Sequence, residues 1–213
     1  MYELCPETPD DVHEVEALYD LCFAPGRTAL SSYRLREGVA PVPGLCLILR
    51  NGLNVVIAAI RYWPVRVAGH PVLLLGPVAV HPTAQGEGLG GYLMHESLKR
   101  AQQMGWGRVM LVGDAPYYSR FGFSKLQHVE MPPPTNPDRV LGLELQPGAW
   151  VDVAGQVMRD DSQDASRVAP VPRGGCVEVE PEVTREDATK LKAVADDRKP
   201  TDHRAAGSAA TDQ

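Results

Sequence analysis

No apolar run in the chain approaches the ~20 residues that a helix needs to cross a bilayer. The opening stretch, Met1-Tyr2-Glu3-Leu4-Cys5-Pro6-Glu7, lacks the basic-then-apolar form of a signal peptide. A membrane association is therefore not expected, and the expected location is the cytoplasm. Basic residues are in deficit: 21 Lys and Arg stand against 27 Asp and Glu, a formal net charge of −6. This leaves no broad positive field for nucleic acid. Cysteine is sparse, and Cys5, Cys22, Cys46 and Cys176 form no CxxC pair. A dense disulfide framework and the clustered spacing of a zinc site are both excluded, so reduced thiols and no metal are expected. No Gly-Lys-Ser/Thr occurs, which excludes a nucleotide P-loop.

What is present reads as one domain plus an excess, within 213 residues. Pro9-Asp10-Asp11 precedes Val12, Val15, Leu18, Tyr19 and Cys22, a helical stripe with Asp10 placed to cap it. The helix should end near Ala24-Pro25-Gly26, and segment 27–40 reads as a shorter second helix. Strands 45–49 and 55–60 flank Asn51-Gly52, a hairpin signal because both residues tolerate positive φ. A reversal at Ala68-Gly69 leads into a third strand, 72–80, where Gly76-Pro77 signals a bulge because proline cannot donate to a ladder. Residues 89–104 form a helix with Leu89, Leu93, Met94, Leu98 and Ala101 on one face, stopped by Gly105. Strand 108–112 follows, making a parallel crossover. Then come a short turn at Tyr117-Tyr118, a strand near 123–129 and a last strand at 140–145. From about 159 the composition turns to Asp, Ser, Arg, Pro and Ala, too poor in large apolar groups to offset ordering. The expected organisation is a folded domain over 1–158 and a disordered tail over 159–213, with one weak helix from Thr184 to Ala195.

The turn Gln85-Gly86-Glu87-Gly88-Leu89-Gly90 lies between a strand and a helix. Gly86 to Gly91 literally contain GxGxxG, and Asp114 ends the next strand, where a dinucleotide fold keeps its ribose-binding acid. Three features oppose that reading. Five residues, His81 to Gln85, separate strand from fingerprint; the preceding chain builds helices and antiparallel strands; and no strand–helix repeats follow for a second nucleotide half. A second reading takes Gln85-x-x-Gly88-x-Gly90 as a pyrophosphate cradle. A helix N-terminus leaves amides unpaired and partly positive, and glycines let an anion approach them. A glycine-rich connection with no ligand is the third.

The segment Gly76-Pro77-Val78-Ala79-Val80-His81-Pro82-Thr83-Ala84-Gln85-Gly86-Glu87-Gly88-Leu89-Gly90, with Asp114-Ala115-Pro116-Tyr117-Tyr118-Ser119-Arg120-Phe121-Gly122-Phe123, resembles the GNAT superfamily of acyl-CoA N-acyltransferases over roughly residues 1–150. It is similar to the YhbS-like branch. The resemblance implies a mixed α/β fold: a mostly antiparallel twisted sheet with a central splayed parallel strand pair and flanking helices. It implies transfer of an acetyl group from acetyl-CoA to a primary amine of a small molecule or peptide, without a metal and with a homodimer left open. Main-chain groups of Val78 and Val80 would pair with pantetheine, and Gln85, Gly86, Glu87, Gly88, Leu89 and Gly90 would hold the pyrophosphate. Tyr118 would protonate the leaving thiolate, a role suited to a phenol of pKa ≈ 10. The strand glutamate that many members use as base is missing. Glu37, Asp114 or a water chain remain as bases, His81 and His95 are weaker candidates, and Arg34, Arg36, Arg61 and Trp63 are candidates for the acceptor pocket. A catalytically silent acyl-CoA-binding regulatory domain is the alternative.

Overall fold

The computed structural model describes residues 1–23, 25–161 and 175–180. Strand β1 (Tyr2–Pro6) leads through a 3-10 turn into helix α1 (Val12–Phe23). A capping box closes this entrance, with Thr8 as N-cap: the Asp11 carboxylate accepts the Thr8 amide and hydroxyl, each at 2.7 Å. The helix expected over 27–40 is broken. A 3-10 stretch, Pro25–Ala29, is followed by extended Leu30 and a single turn, α2 (Ser31–Arg34).

Strands β2 (Leu47–Asn51) and β3 (Val56–Val67) form the expected hairpin, with a longer turn than Asn51-Gly52. The Asn51 side chain accepts the amides of Leu53 and Val55, both at 3.0 Å, and the positive φ falls on Asn54 at 62°. Ala68 and Gly69, at φ 48° and 81°, turn the chain into β4 (His70–Val80). Tyr62 faces Leu75 and Ile60 faces Val78, so Gly76 and Pro77 together stand opposite Arg61. This is the bulge that proline's missing N–H predicts.

Helix α3 (Leu89–Gln103) buries Leu89, Leu93, Met94, Leu98 and Ala101, the face its periodicity predicts. β5 (Arg108–Val112) returns parallel to β4, followed by the turn α4 (Ala115–Tyr118), short strands β6 (Ser124–Lys125) and β7 (Val129–Glu130), then β8 (Val140–Glu144) and β9 (Gly155–Arg159). With β10 (Val177–Val179) the main sheet runs β10-β1-β2-β3-β4-β5-β8-β6, and β9 occupies the end of β3 beyond β2. Alternation along the strands divides the core. Leu47, Leu49, Ala58 and Ile60 face α3, whereas Cys5, Ile48, Ala59 and Ala79 pack with Val15, Leu18 and Tyr19 of α1. The architecture is the mixed α/β fold with one central parallel pair.

Two expectations need correction. The cysteines are not all free thiols: Cys5 and Cys176 are joined in a disulfide, while Cys22 and Cys46 are free. The register explains it, because Leu4 faces Val177 and the next cross-strand position is Cys5 opposite Cys176. The sheet also takes in chain beyond residue 158. Arg159 completes β9, the Asp160 carboxylate meets Arg66 at 3.0 Å, and β10 extends the β1 edge. The rest of the tail, including the helix expected at 184–195, lies outside the described residues. No helix among the described residues is long and apolar enough to cross a membrane.

Candidate active site

β4 and β5 pair only at Leu73↔Val109 and Leu74↔Met110. Past the bulge they part, and a cleft of about 170 Å³ opens between Val78 and Val80 on one side and Val112, Gly113 and Asp114 on the other. The His81 amide donates to the Ile57 carbonyl at 2.7 Å. Alternation along the antiparallel ladder therefore turns the amides and carbonyls of Val78 and Val80 away from β3, towards the cleft. The Val80 carbonyl is already engaged, by the Cys22 thiol at 3.4 Å and the Gln85 side-chain amide at 3.2 Å. The Val78 amide and carbonyl and the Val80 amide remain for a ligand.

Gln85 is thus a brace that closes the turn onto β4, not a side chain held out at its lip. Gly86 and Gly88 take φ of 91° and 75°, and Gly88 is the N-cap of α3. The first amide of this segment to find a carbonyl is that of Tyr92, bonded to Gly88 at 2.9 Å. None of the main-chain N–H groups from Gln85 to Gly91 has an acceptor among the described residues. A row of unpaired donors at the start of a 15-residue helix can accept an anion. The Glu87 carboxylate is held by the Tyr2 hydroxyl, which is pushed up to about 12 by that bond and by burial. A Cβ on Gly90 would stand 3.4 Å from the Tyr117 hydroxyl and 3.5 Å from Val80 Cγ2, ordinary van der Waals contact, so α3 packs closely on both here.

Tyr118 ends α4, whose turn is set by the Asp114 carbonyl accepting the amides of Tyr117 and Tyr118, each at 3.1 Å. The Tyr118 ring stands edge-on to Tyr117 and Phe123, at centroid distances of 4.9 and 6.0 Å. It also lies against Gly113, where a Cβ would come within 2.3 Å of Cε2. Its hydroxyl has no hydrogen-bond partner among the described residues, and burial pushes the phenol well above its ordinary value. Tyr117 lines only the cleft; Tyr118 lines the cleft and a second cavity of about 130 Å³. The two spaces meet at Phe23, Val78, Val112 and Tyr118.

The second cavity is lined by Arg27, Tyr33, Arg36 and Gly76 among others, and, among the described residues, by no carboxylate or histidine. Arg27 is buried and matched by Glu16, Asp20 and the Tyr33 hydroxyl. Arg36 enters the cavity, whereas Arg61 is turned away and paired with Glu7 and Glu16. Arg34 is exposed and donates to the Pro133 carbonyl at 3.3 Å. Trp63 is core and lines neither space: it is buried, and its ring lies 4.7 Å from the Arg36 guanidinium. Of the candidate bases, Asp114 lines the cleft, while Glu37, His81 and His95 line neither space. Arg27 and Gly113 carry no sequence signal of their own, since one sits in an irregular loop and the other merely ends a strand. One group of metal-type ligands occurs among the described residues, Glu3 with Cys5 and Cys176, at the β1–β10 edge, and its sulfurs are committed to the disulfide.

A model of the acetyltransferase (GNAT) family matches residues 12–123. The uncharacterized N-acetyltransferase YhbS of Escherichia coli K12 is 31% identical over 127 residues, which span 59% of this chain and 75% of YhbS. The crystal structure of Escherichia coli YhbS in complex with CoA matches with a TM-score of 0.64 at 26% identity, covering 77% of this chain and 91% of that one. A GNAT acetyltransferase from Brucella melitensis, in complex with acetyl-CoA, shares the fold with a TM-score of 0.56 at 24% identity, over 76% of this chain and 97% of its own.

Proposed function

The chain belongs to the GNAT acetyltransferase family, and from that premise we propose that it transfers an acetyl group from acetyl-CoA to a primary amine of a small molecule or peptide. The observation that carries the reading is the continuous path from the unpaired amides of 85–91, along the free edge of Val80 and Val78, to Tyr118. The donor is carried over from the CoA bound by Escherichia coli YhbS. Its pyrophosphate would lie on the helix N-terminus and its pantetheine along β4. Its thioester would then reach the junction of the two cavities.

At that junction a free main-chain amide of β4, that of Val78 or Val80, would stabilise the oxyanion as it forms. The amine nitrogen attacks the carbonyl carbon, the carbon–sulfur bond breaks, and the Tyr118 hydroxyl gives its proton to the departing thiolate. The proton surplus on the new amide nitrogen restores Tyr118 through solvent, so the products are an N-acetyl amine and free CoA. Two guanidiniums line the acceptor cavity and no acid does, which disfavours an ammonium ion there. The amine therefore docks neutral, its proton left to water or to Asp114 at the cleft. A domain that binds acyl-CoA without turnover is the second reading, favoured by that same lack of an acid or histidine in the cavity.

Calorimetric titration of the full chain with acetyl-CoA, with NAD as control, tests the donor. Micromolar binding of acetyl-CoA alone is expected; binding of NAD in its place would overturn the reading. With the donor bound, acetylation of any amine in a broad panel removes the silent domain, and its absence throughout removes the transferase.

A further inference from the structure

The second cavity holds a cation that no acid among the described residues balances. Arg36 lies between two aromatic rings, its Cζ 4.4 Å from the Tyr33 centroid and 4.7 Å from that of Trp63. Its Nε and Nη1 are shut off from solvent and have no hydrogen-bond partner. Nη2 lies 3.7 Å from where a Cβ on Gly76 would stand, at the cavity wall made by the bulge. The neighbouring buried arginines are treated differently: Arg27 meets Glu16 and Asp20, and Arg61 meets Glu7 and Glu16.

Leaving a partly buried charge without a counter-ion is costly, and the cost shows in Arg36, whose guanidinium desolvation pulls down to about 10. It remains charged at neutral pH. The two rings stabilise the cation but leave Nε and Nη1 without acceptors among the described residues. Of the guanidinium fork, Nη2 is the nitrogen that is not shut off, and a carboxylate or phosphate in the cavity meets it with a charge-assisted hydrogen bond. Given acetyl transfer as the reaction at this site, we infer that the acceptor is a small amine that also carries an anionic group, carboxylate or phosphate, which Arg36 holds while the amine reaches Val78 and Tyr118. The anion then offsets the cavity's charge, and its distance from the amine sets which acceptors fit the roughly 130 Å³ available.

The test uses the full chain, acetyl-CoA and matched acceptors: β-alanine against propylamine for carboxylate, and 2-aminoethyl phosphate against ethanolamine for phosphate. The anionic member of at least one pair should have the higher kcat/KM, and which pair responds identifies the anion. Arg36→Met, which keeps length and stacking bulk, should lower kcat/KM for that acceptor roughly 10- to 100-fold, the span of a charge-assisted hydrogen bond. The ratio within the pair should then collapse towards one. Arg36→Lys, retaining charge without the fork, serves as the second variant should the first melt early. Equal use of both members in each pair, or a ratio unchanged in the variants, overturns the inference while leaving acetyl transfer intact. If acetyl-CoA binds but no amine is acetylated, calorimetry of the N-acetylated products in the presence of CoA decides. Arg36-dependent binding of the anionic product keeps the anion site and sinks the transferase, and no binding sinks both.

Discussion

Gly113→Ala tests whether the site depends on where Tyr118 is held. The backbone at Gly113 is not in the left-handed region, so alanine strains nothing locally. The new methyl, however, would stand 2.3 Å from Tyr118 Cε2 and 2.8 Å from Leu111 Cδ1. The ring has to withdraw by about 1 Å to reach ordinary carbon contact, and it has little room, since Tyr117 and Phe123 flank it. A displacement of ~1 Å in a reacting group costs on the order of 10²-fold in rate. Overpacking of this kind costs about 1–3 kcal/mol in stability, small enough for the protein to stay folded. The assay is kcat for acetyl transfer, alone and combined with Tyr118→Phe. Tyr118→Phe by itself should lower kcat by about 10²–10⁴-fold through loss of the acid. If Gly113 acts by holding Tyr118, adding Gly113→Ala to that variant should change kcat little further. A full additional 10²-fold loss in the double variant, or no loss in Gly113→Ala alone, refutes the reasoning.

Gly88→Val forces a β-branched residue to φ 75°, a cost of roughly 1–2 kcal/mol, and should weaken acetyl-CoA binding at least about tenfold by calorimetry; unaltered affinity refutes the pyrophosphate assignment. An acid must be protonated to act, and the Tyr118 phenol is raised, so kcat/KM should climb as the acceptor deprotonates and show no alkaline fall below about pH 10. A decline beginning near pH 8 would exclude Tyr118 as the acid. Reduction of Cys5–Cys176, which closes a loop of sequence separation 171, should cost ~2–4 kcal/mol, lower the melting temperature and open the β10 strand to protease. An identical melt with and without dithiothreitol counts against a stabilising cross-link.

Much of the fold was legible because its causes are local. The face of α3 follows from the spacing of Leu89, Leu93, Met94, Leu98 and Ala101, and the β4 bulge from one proline without an N–H. The turn of unpaired amides follows from Gly86 and Gly88 ahead of a helix. Where neighbours in space are far apart in sequence, the reading failed. Segment 27–40 has helical residues, but Arg27 is drawn to acids on α1, and the chain breaks at Leu30. β10 has exposed residues and no periodicity; it is a strand only because the edge of β1 offers it partners, and the Cys5–Cys176 bond follows from that register.

The arginines show the division most plainly. By itself the sequence determined the cleft: a bulged strand, a glycine turn and a tyrosine after the next strand, each set by chemistry acting over a few residues. It could not rank Arg27, Arg36 and Arg61, which look alike as residues. Only the sheet order brings Glu7 of the chain after β1 and Glu16 of α1 to Arg61 of β3, and only the broken turn lays Arg36 between Tyr33 and Trp63 without an acid. A charge's role depends on the partner it meets, and in this protein that partner is supplied by tertiary structure.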